Sequence, residues 1–340
     1  MAKKPEVVAE VVPEVVMVTG AAGFVGSFLV ERLLALGHTV HGLDIAPLSG
    51  ARNLEAVKDQ PAFHYTQGDI RDLATIQAFF RPEASVLYHL ASVVGVRRYM
   101  EDPLSLIDVA IIGTRHLIAL AVEHDVRILF TSTSEVYGRN PAVPWREDGD
   151  RVLGATSVDR WSYAASKGVC EQMLYGVHRK TGLPFSIVRF FNVYGPRQAP
   201  IYVVSQTVQR VLNGERPDLY DGGGQTRCLT YVEDAIEGVI AAATRPEAIG
   251  QVFNIGNATE LSMAEVVAMV LDAAGSDLEP VAVDTREKYG AVYEDIGRRV
   301  PAVEKAERIL GWKATTSARE GIAKTVAWAR ETPWYLALKP

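Results

Sequence analysis

"VVMVTGAAGFVGSFLVERLLALG", residues 15–37, decides the fold. Its opening, residues 15–19, is β-branched and almost wholly apolar, the composition of a buried strand. From Phe24 onward leucines and valines recur at helical spacing until Gly37 closes the segment. Between the two lie Gly20, Gly23 and Gly26, spaced GxxGxxG. Glycines there let the backbone turn sharply and approach a pyrophosphate, whose charge rests on the helix N-terminus at Phe24 and Val25. By itself such a triplet is equally a device for packing a helix close to a strand.

Working outward, the strand and helix signals keep alternating. "TVHGLD" reads as a strand ending at Asp44, followed by "FHYTQGDI", "SVLYHLAS", "RILFTSTS" and "FSIVRFFN". Helical stretches separate them, notably 103–124 and 161–181. Strands joined by helices make a parallel sheet covered on both faces, so the expected class is α/β, a doubly wound Rossmann sheet. Asp44 lies 18 residues past Gly26, where a carboxylate accepts hydrogen bonds from the adenosine ribose and repels a 2′-phosphate. That favours NAD over NADP. Asp69, in "GDI", ends the third strand, where it serves either the adenine amino group or a simple turn cap.

After "FNVYGPRQ" the alternation breaks into a helix over 203–213, a turn "DGGGQT", a helix opening at Val232, and a short strand "VFNIGN". With 340 residues, the chain exceeds the usual single core. The expected division is a leader over 1–13 that is mobile, a sheet domain over 14–193 plus about 230–256, and a smaller mixed α/β lobe over 194–229 plus 257–340.

The net charge of −6 argues against a broad nucleic-acid footprint, because phosphate backbones need a concentrated basic face. Cys170 and Cys228 form neither a disulfide framework nor a zinc-spaced cluster, so no metal is expected and a reducing, cytoplasmic compartment is. Glu6, Glu10 and Glu14 interrupt the apolar runs of the leader, and no segment is expected to reach the length of a membrane span.

"WSYAASK" places Tyr163 and Lys167 four residues apart, on one face of a helix. A free phenol has a pKa of about 10 and is a poor base near neutrality. A lysine beside it and an oxidised nicotinamide above it both favour phenolate, so the pair could take a proton from an alcohol while hydride leaves its carbon. Alone, this spacing is equally an exposed helix face.

Taken in order, "TGAAGFVGS", "GDIRD", "YHLAS", "TSTSEVYG", "YAASK", "RFFNVYGPRQ" and "NIGN" resemble the extended short-chain dehydrogenase/reductase family, in its nucleotide-sugar branch. The likeness covers nearly the whole chain after the leader. It implies NAD held through a catalytic cycle and a nucleoside diphosphate sugar in a cleft between two lobes. On that resemblance Gly20, Gly23, Phe24, Val25, Gly26, Asp44, Asp69, Ile70, Leu90, Ala91, Ser92, Tyr163, Lys167 and Val193 meet the cofactor. Thr133 would bond the sugar near its 4-hydroxyl, Tyr163 would be the base, and Lys167 would hold the nicotinamide ribose. Tyr99 and Asn192 would contact the substrate, Asn192 near its phosphates. Family dimers pair the helices 103–124 and 161–181 in a four-helix bundle, so a homodimer is implied.

Dehydratases of this branch carry an Asp-Glu pair where this chain has Ser134-Glu135, so the acid that protonates a leaving hydroxyl is missing. "KYGAVYEDIGRRVPAVEKAERILGW", "DGGGQTRCLTYVEDAIEG" and "RWSYAASK" are similar to UDP-glucuronate decarboxylases. The similarity implies that Arg299 handles a carboxylate, Tyr293 touches substrate and Arg227 meets the diphosphate. Oxidation at C4 of a glucuronate creates a ketone β to the carboxylate, and CO₂ can then leave into an enolate held by Thr133 and Tyr163. Glu135, with Ser134, would act near C5, or it would be a plain salt-bridge partner. The products would be UDP-xylose, UDP-4-keto-xylose or both. Two alternatives stay open. "FNVYGPRQ", and "ASVVGVRRYMEDP" with Arg97, resemble 4-epimerases, which share every step through oxidation. A silent NAD-binding sensor is the other, though such proteins usually lack the Tyr/Lys pair.

Overall fold

The computed structural model describes residues 12–95, 102–285 and 296–338. Seven strands make one all-parallel sheet: β1 (Val15–Thr19), β2 (Thr39–Asp44), β3 (Phe63–Gln67), β4 (Val86–His89), β5 (Arg127–Thr133), β6 (Phe185–Phe190) and β7 (Gln251–Ile255). Their order is β7-β6-β5-β4-β1-β2-β3, which reverses direction at β1 and β4. In sheets of this kind ligands lie off the carboxyl ends of the strands at that reversal.

The register explains why β1 is apolar at successive positions. Val16 sits between Val40 of β2 and Val86 of β4. Val16 and Val18 point into one core with Tyr88, Leu129 and Val188. Met17 points the other way, into a second core with Leu87, Ile128, Phe130 and Ile187. A strand buried on both faces has no polar side to show.

Helix α1 (Phe24–Ala35) follows β1 and α2 (Leu73–Phe79) follows β3, capped by the Asp72 carboxylate. Between β4 and β5 runs α3 (Pro103–His124), opened by Asp102 and Pro103 and carrying a π turn over Val109–Gly113. Between β5 and β6 runs α4 (Arg160–Thr181), ended by left-handed Gly182. The expectation that no segment reaches membrane-span length is corrected by α3, which is long and apolar enough by composition. Its apolarity has a local cause: Leu117, Ile118 and Ala121 join the core under β4 and β5.

The strands stop short of several sequence expectations. β3 ends at Gln67 because the chain turns at Asp69, whose carboxylate accepts the Arg71 N–H at 2.8 Å. β4 ends at His89 because the Ala91 N–H turns back to the Thr19 hydroxyl at 3.2 Å. These early stops free the carboxyl ends of the strands for a site.

Outside the large sheet, α5 (Val203–Leu212), α6 (Val232–Thr244), α7 (Met263–Ala274), α8 (Glu304–Leu310) and α9 (Ala318–Arg330) accompany short strand pairs. α7 starts with a reciprocal cap in which Ser262 and Glu265 satisfy each other's backbone N–H. A small three-stranded sheet sets two arginines side by side. In it Thr226–Cys228 lies between Glu260–Ser262 and Arg298–Arg299, with Arg299 in register beside Arg227. The helix over 203–212, the helix opening at Val232 and the strand at 251–255 stand where the sequence puts them.

Candidate active site

The glycine turn shows why each glycine is needed where it is. Gly20 has φ +74°, and a Cβ there would lie 2.8 Å from the Ala91 nitrogen. A Cβ on Gly26 would lie 1.9 Å from the Gly20 carbonyl oxygen, so the first turn of α1 can close on the loop only without a side chain. α1 has no side-chain cap and no acid in its first turn, which leaves the N–H groups around Phe24 and Val25 for an anion. At the end of β2 the Asp44 carboxylate accepts N–H bonds from Ala22 at 3.0 Å and from Ala46 at 3.1 Å. An open helix start beside a tethered carboxylate fits a dinucleotide: pyrophosphate at α1, ribose hydroxyls at Asp44.

The rest of the expected cofactor set lies along the same strand ends. Leu90 N–H bonds the Thr19 carbonyl at 3.1 Å. Ile70 is buried against Gly113 in α3. Asp69 is clasped by the Arg71 guanidinium at 2.6 Å, which holds its carboxyl below the usual carboxylate range. That geometry makes Asp69 a turn cap, while a quarter of its side chain stays exposed. Val193 follows β6, its carbonyl accepting from Gln198 at 2.8 Å.

Tyr163 and Lys167 share one face of α4, and that face meets the carboxyl end of β5. Lys167 Nζ donates to the Thr131 carbonyl at 2.8 Å and lies 4.7 Å from the Phe130 ring centre. Burial lowers the Lys167 pKa to about 8, with Cys170 and Glu171 opposing. Burial pushes the Tyr163 phenol well above its ordinary range and Tyr202 and Glu135 add to the shift, while hydrogen bonding to the Ser92 and Thr133 side chains opposes it. In the protein alone, desolvation therefore outweighs the pull toward phenolate, and the phenol keeps its proton near neutrality.

Thr133 also organises the turn that follows β5. Its Oγ1 accepts the Glu135 N–H at 3.2 Å and so caps the short helical turn Ser134–Tyr137. Ser134 is buried in that turn. Glu135 meets two arginines, one from α4 and one from the short strand Arg298–Arg299. Arg160 Nη2 donates to its carboxylate at 3.2 Å, and Arg299 Nη1 makes a second ion pair with it. Burial raises the Glu135 pKa, but Arg299 and Arg160, with Arg227 behind them, pull it down and prevail. Glu135 is an ionised carboxylate held by two arginines.

Arg299 is buried on its short strand beside Arg227, whose Nη1 donates to the Thr226 carbonyl at 2.8 Å. Asn192, in the left-handed region at φ +41°, donates from Nδ2 to the Cys228 carbonyl at 3.3 Å. Thr133, Ser134, Glu135, Tyr163, Lys167, Arg227 and Arg299 thus surround one locus. Tyr99 and Tyr293, and Arg97, lie outside the described residues.

Sequence reasoning misses Arg160, although it stands one helical turn before Tyr163 in "RWSYAASK". Its side chain is 6% exposed, its guanidinium is 5.8 Å from the Trp161 ring centre, and its position at i−3 is the available signal. His89 is a buried strand residue: its two ring nitrogens bond the hydroxyls of Thr19 at 2.8 Å and Thr114 at 3.0 Å.

The family model for GDP-mannose 4,6 dehydratase matches residues 17–325. The chain belongs to that family, within the extended short-chain dehydrogenase/reductase enzymes that act on nucleotide sugars. A UDP-N-acetyl-alpha-D-glucosaminuronate decarboxylase from Bacillus cytotoxicus is 34% identical over 322 residues, covering 93% of this chain and 97% of its own. An epimerase from Methanothermobacter thermautotrophicus has TM-score 0.87 at 26% identity, covering 96% of this chain and 95% of that one. A dTDP-glucose 4,6-dehydratase from Streptomyces venezuelae, a double mutant solved with NAD, has TM-score 0.84 at 30% identity, covering 95% and 99%.

Proposed function

We propose that this protein is an NAD-dependent decarboxylase of a UDP-uronic acid, with UDP-glucuronic acid as substrate and UDP-xylose, UDP-4-keto-xylose or both as product. The observation that carries the reading is the pair of mostly buried ion pairs that Glu135 makes with Arg160 and Arg299, near Tyr163 and Thr133. A 4,6-dehydratase needs an acid at position 134 to expel a hydroxyl, and a buried serine has none to supply.

NAD is the cofactor; when bound it supplies an acceptor for the C4 electron pair and a positive charge beside the Tyr163 phenol. With that charge and Lys167, still largely protonated below its pKa of about 8, favouring loss of the phenol proton to solvent, Tyr163 as phenolate takes the proton of the 4-hydroxyl and becomes a neutral phenol. With C4 a ketone, the bond from C5 to the carboxylate breaks and its electron pair moves into an enolate whose oxygen is C4's. The O–H groups of Thr133 and Tyr163 are the donors to that oxygen. Arg299 orients the departing carboxylate. An ionised Glu135 has no proton to give at neutral pH, so the ion pairs support an orienting role for it over a proton relay. The enolate then takes a proton from solvent at C5; return of the electron pair to C4 gives UDP-xylose, and escape of the ketone before that gives UDP-4-keto-xylose.

The substrate would lie between the large sheet and the segments 194–229 and 257–340, with Asn192 and Arg227 toward its diphosphate. Exposed apolar side chains on α3 and α4, among them Leu104, Ile112 and Val169, support the homodimer through a four-helix bundle. A cytoplasmic location accords with two free, buried cysteines.

The Bacillus relative favours a second substrate, the 2-acetamido uronate carried on UDP. A 4-epimerase of the same acid remains the rival reaction. Mass spectrometry of protein incubated with NAD and either UDP-uronate decides among the three. A product lighter by CO₂ from UDP-glucuronate supports the proposal, loss of CO₂ from the acetamido sugar alone moves the substrate, and an unchanged mass with inverted C4 makes it an epimerase.

A further inference from the structure

The loop leaving β6 contains a feature that decarboxylation does not use. Its turn Gly195–Gln198 is closed by a 3.4 Å bond from the Gln198 N–H to the Gly195 carbonyl, with Pro196 and Arg197 in the middle. Arg197 has φ +70°. Glycine or asparagine adopts that conformation with less strain, and an arginine held there implies that its side chain is needed.

Among the described residues, the side-chain partners of Arg197 are all on α1. Arg197 Nη2 pairs with the Glu31 carboxylate at 2.8 Å. Nη1 donates to the Ser27 hydroxyl at 3.3 Å. The guanidinium carbon lies 4.5 Å from the centre of the Phe28 ring. The pair is mostly shielded, with side-chain exposures of 18% and 27%. β6 and β1 are separated by β5 and β4, a gap of about 14 Å at ordinary strand spacing. The same loop carries Asn192 and Val193, and α1 opens at the glycine turn.

We propose that Arg197 is a positioning residue that latches the loop 192–198 to α1 and thereby slows release of NAD from the cleft the two segments border. The inference rests on the NAD assignment and is independent of which sugar is processed. α1 and the loop move apart only by giving up a shielded ion pair, a hydrogen bond and a cation–π contact together. Glu31, a position no motif marks, becomes part of the cofactor machinery.

The test is the rate at which bound NAD exchanges with added fluorescent etheno-NAD, measured without substrate and alongside Tm. Arg197→Met and Glu31→Gln should each speed exchange about tenfold, the effect of losing one such charged contact. The swapped pair Arg197→Glu/Glu31→Arg should recover part of the retention. If exchange stays at the wild-type rate in Glu31→Gln, whose partly exposed site tolerates substitution, the latch is overturned, and a lower Tm with unchanged exchange overturns it equally. A wild-type protein that takes up no NAD would instead overturn the cofactor assignment.

Discussion

Arg299 and Glu135, 164 positions apart, form a direct ion pair, and Arg160 holds the same carboxylate at 3.2 Å. The contact brings a strand outside the large sheet against the end of β5. Removing one partner leaves the other charged and buried. Arg299→Met should cost about 3 kcal/mol of stability and lower turnover of a UDP-uronate by about a hundredfold. The triple variant Arg160→Met/Glu135→Gln/Arg299→Met, which leaves none of the three charges stranded, should regain much of the stability, read as the denaturation midpoint, and none of the turnover. Recovery of both would make the pair purely structural.

Tyr163→Phe removes the hydroxyl whose pKa the Ser92 and Thr133 side chains lower. C4 oxidation, followed as NADH absorbance under single turnover, should fall by a factor of about 10² to 10⁴, while NAD binding is kept. Oxidation at the wild-type rate would mean that another group takes the proton.

The glycine turn makes a prediction about binding alone. Gly26→Ala places a methyl group 1.9 Å from the Gly20 carbonyl oxygen, so the turn must open and NAD should be lost. Gly224→Ala is the control: no atom lies within 4 Å of its added methyl, and its φ is −75°. Titration calorimetry with NAD should separate the two variants, and equal affinity would remove the glycine turn from the cofactor site.

How much of the molecule is legible in the sequence depends on the range of the interactions. β1, the glycine turn and α1 are written in residues 15–37 because strand period, glycine and helix period act over a few positions. Tyr163 and Lys167 are legible for the same reason, since one helical turn brings them together. The clasp on Glu135 is legible only as a family likeness for Arg299, and Arg160 stays hidden, because burial of a charge depends on what the fold brings against it. The three-stranded sheet holding Arg227 and Arg299 has strands of two or three residues, too short for any period. The contact between Arg197 and Glu31 spans 166 positions and carries no local signal.

His89 gives the fold a built-in acid sensitivity. It is fully buried between the Thr19 and Thr114 hydroxyls, and burial lowers its pKa to about 3, with Lys167 adding to the shift. The unfolded chain holds this imidazole near its ordinary value of about 6.5. Between those values the unfolded state binds a proton that the native state does not, so stability falls as pH drops from 6.5 toward 3. The slope is about 1.4 kcal/mol per pH unit, or about 2 kcal/mol by pH 5. His41, whose pKa is lowered to about 4, chiefly by burial and then by Arg81 and His64, acts in the same direction, more weakly because it is partly exposed. His89→Asn keeps a polar group between the two threonines and removes the titration. Its unfolding free energy, measured by urea denaturation at pH 7 and pH 5, should change less than the wild type's by about 2 kcal/mol. Parallel losses in the two proteins would show that the carboxylates alone set the acid limit and that His89 is already charged in the native state.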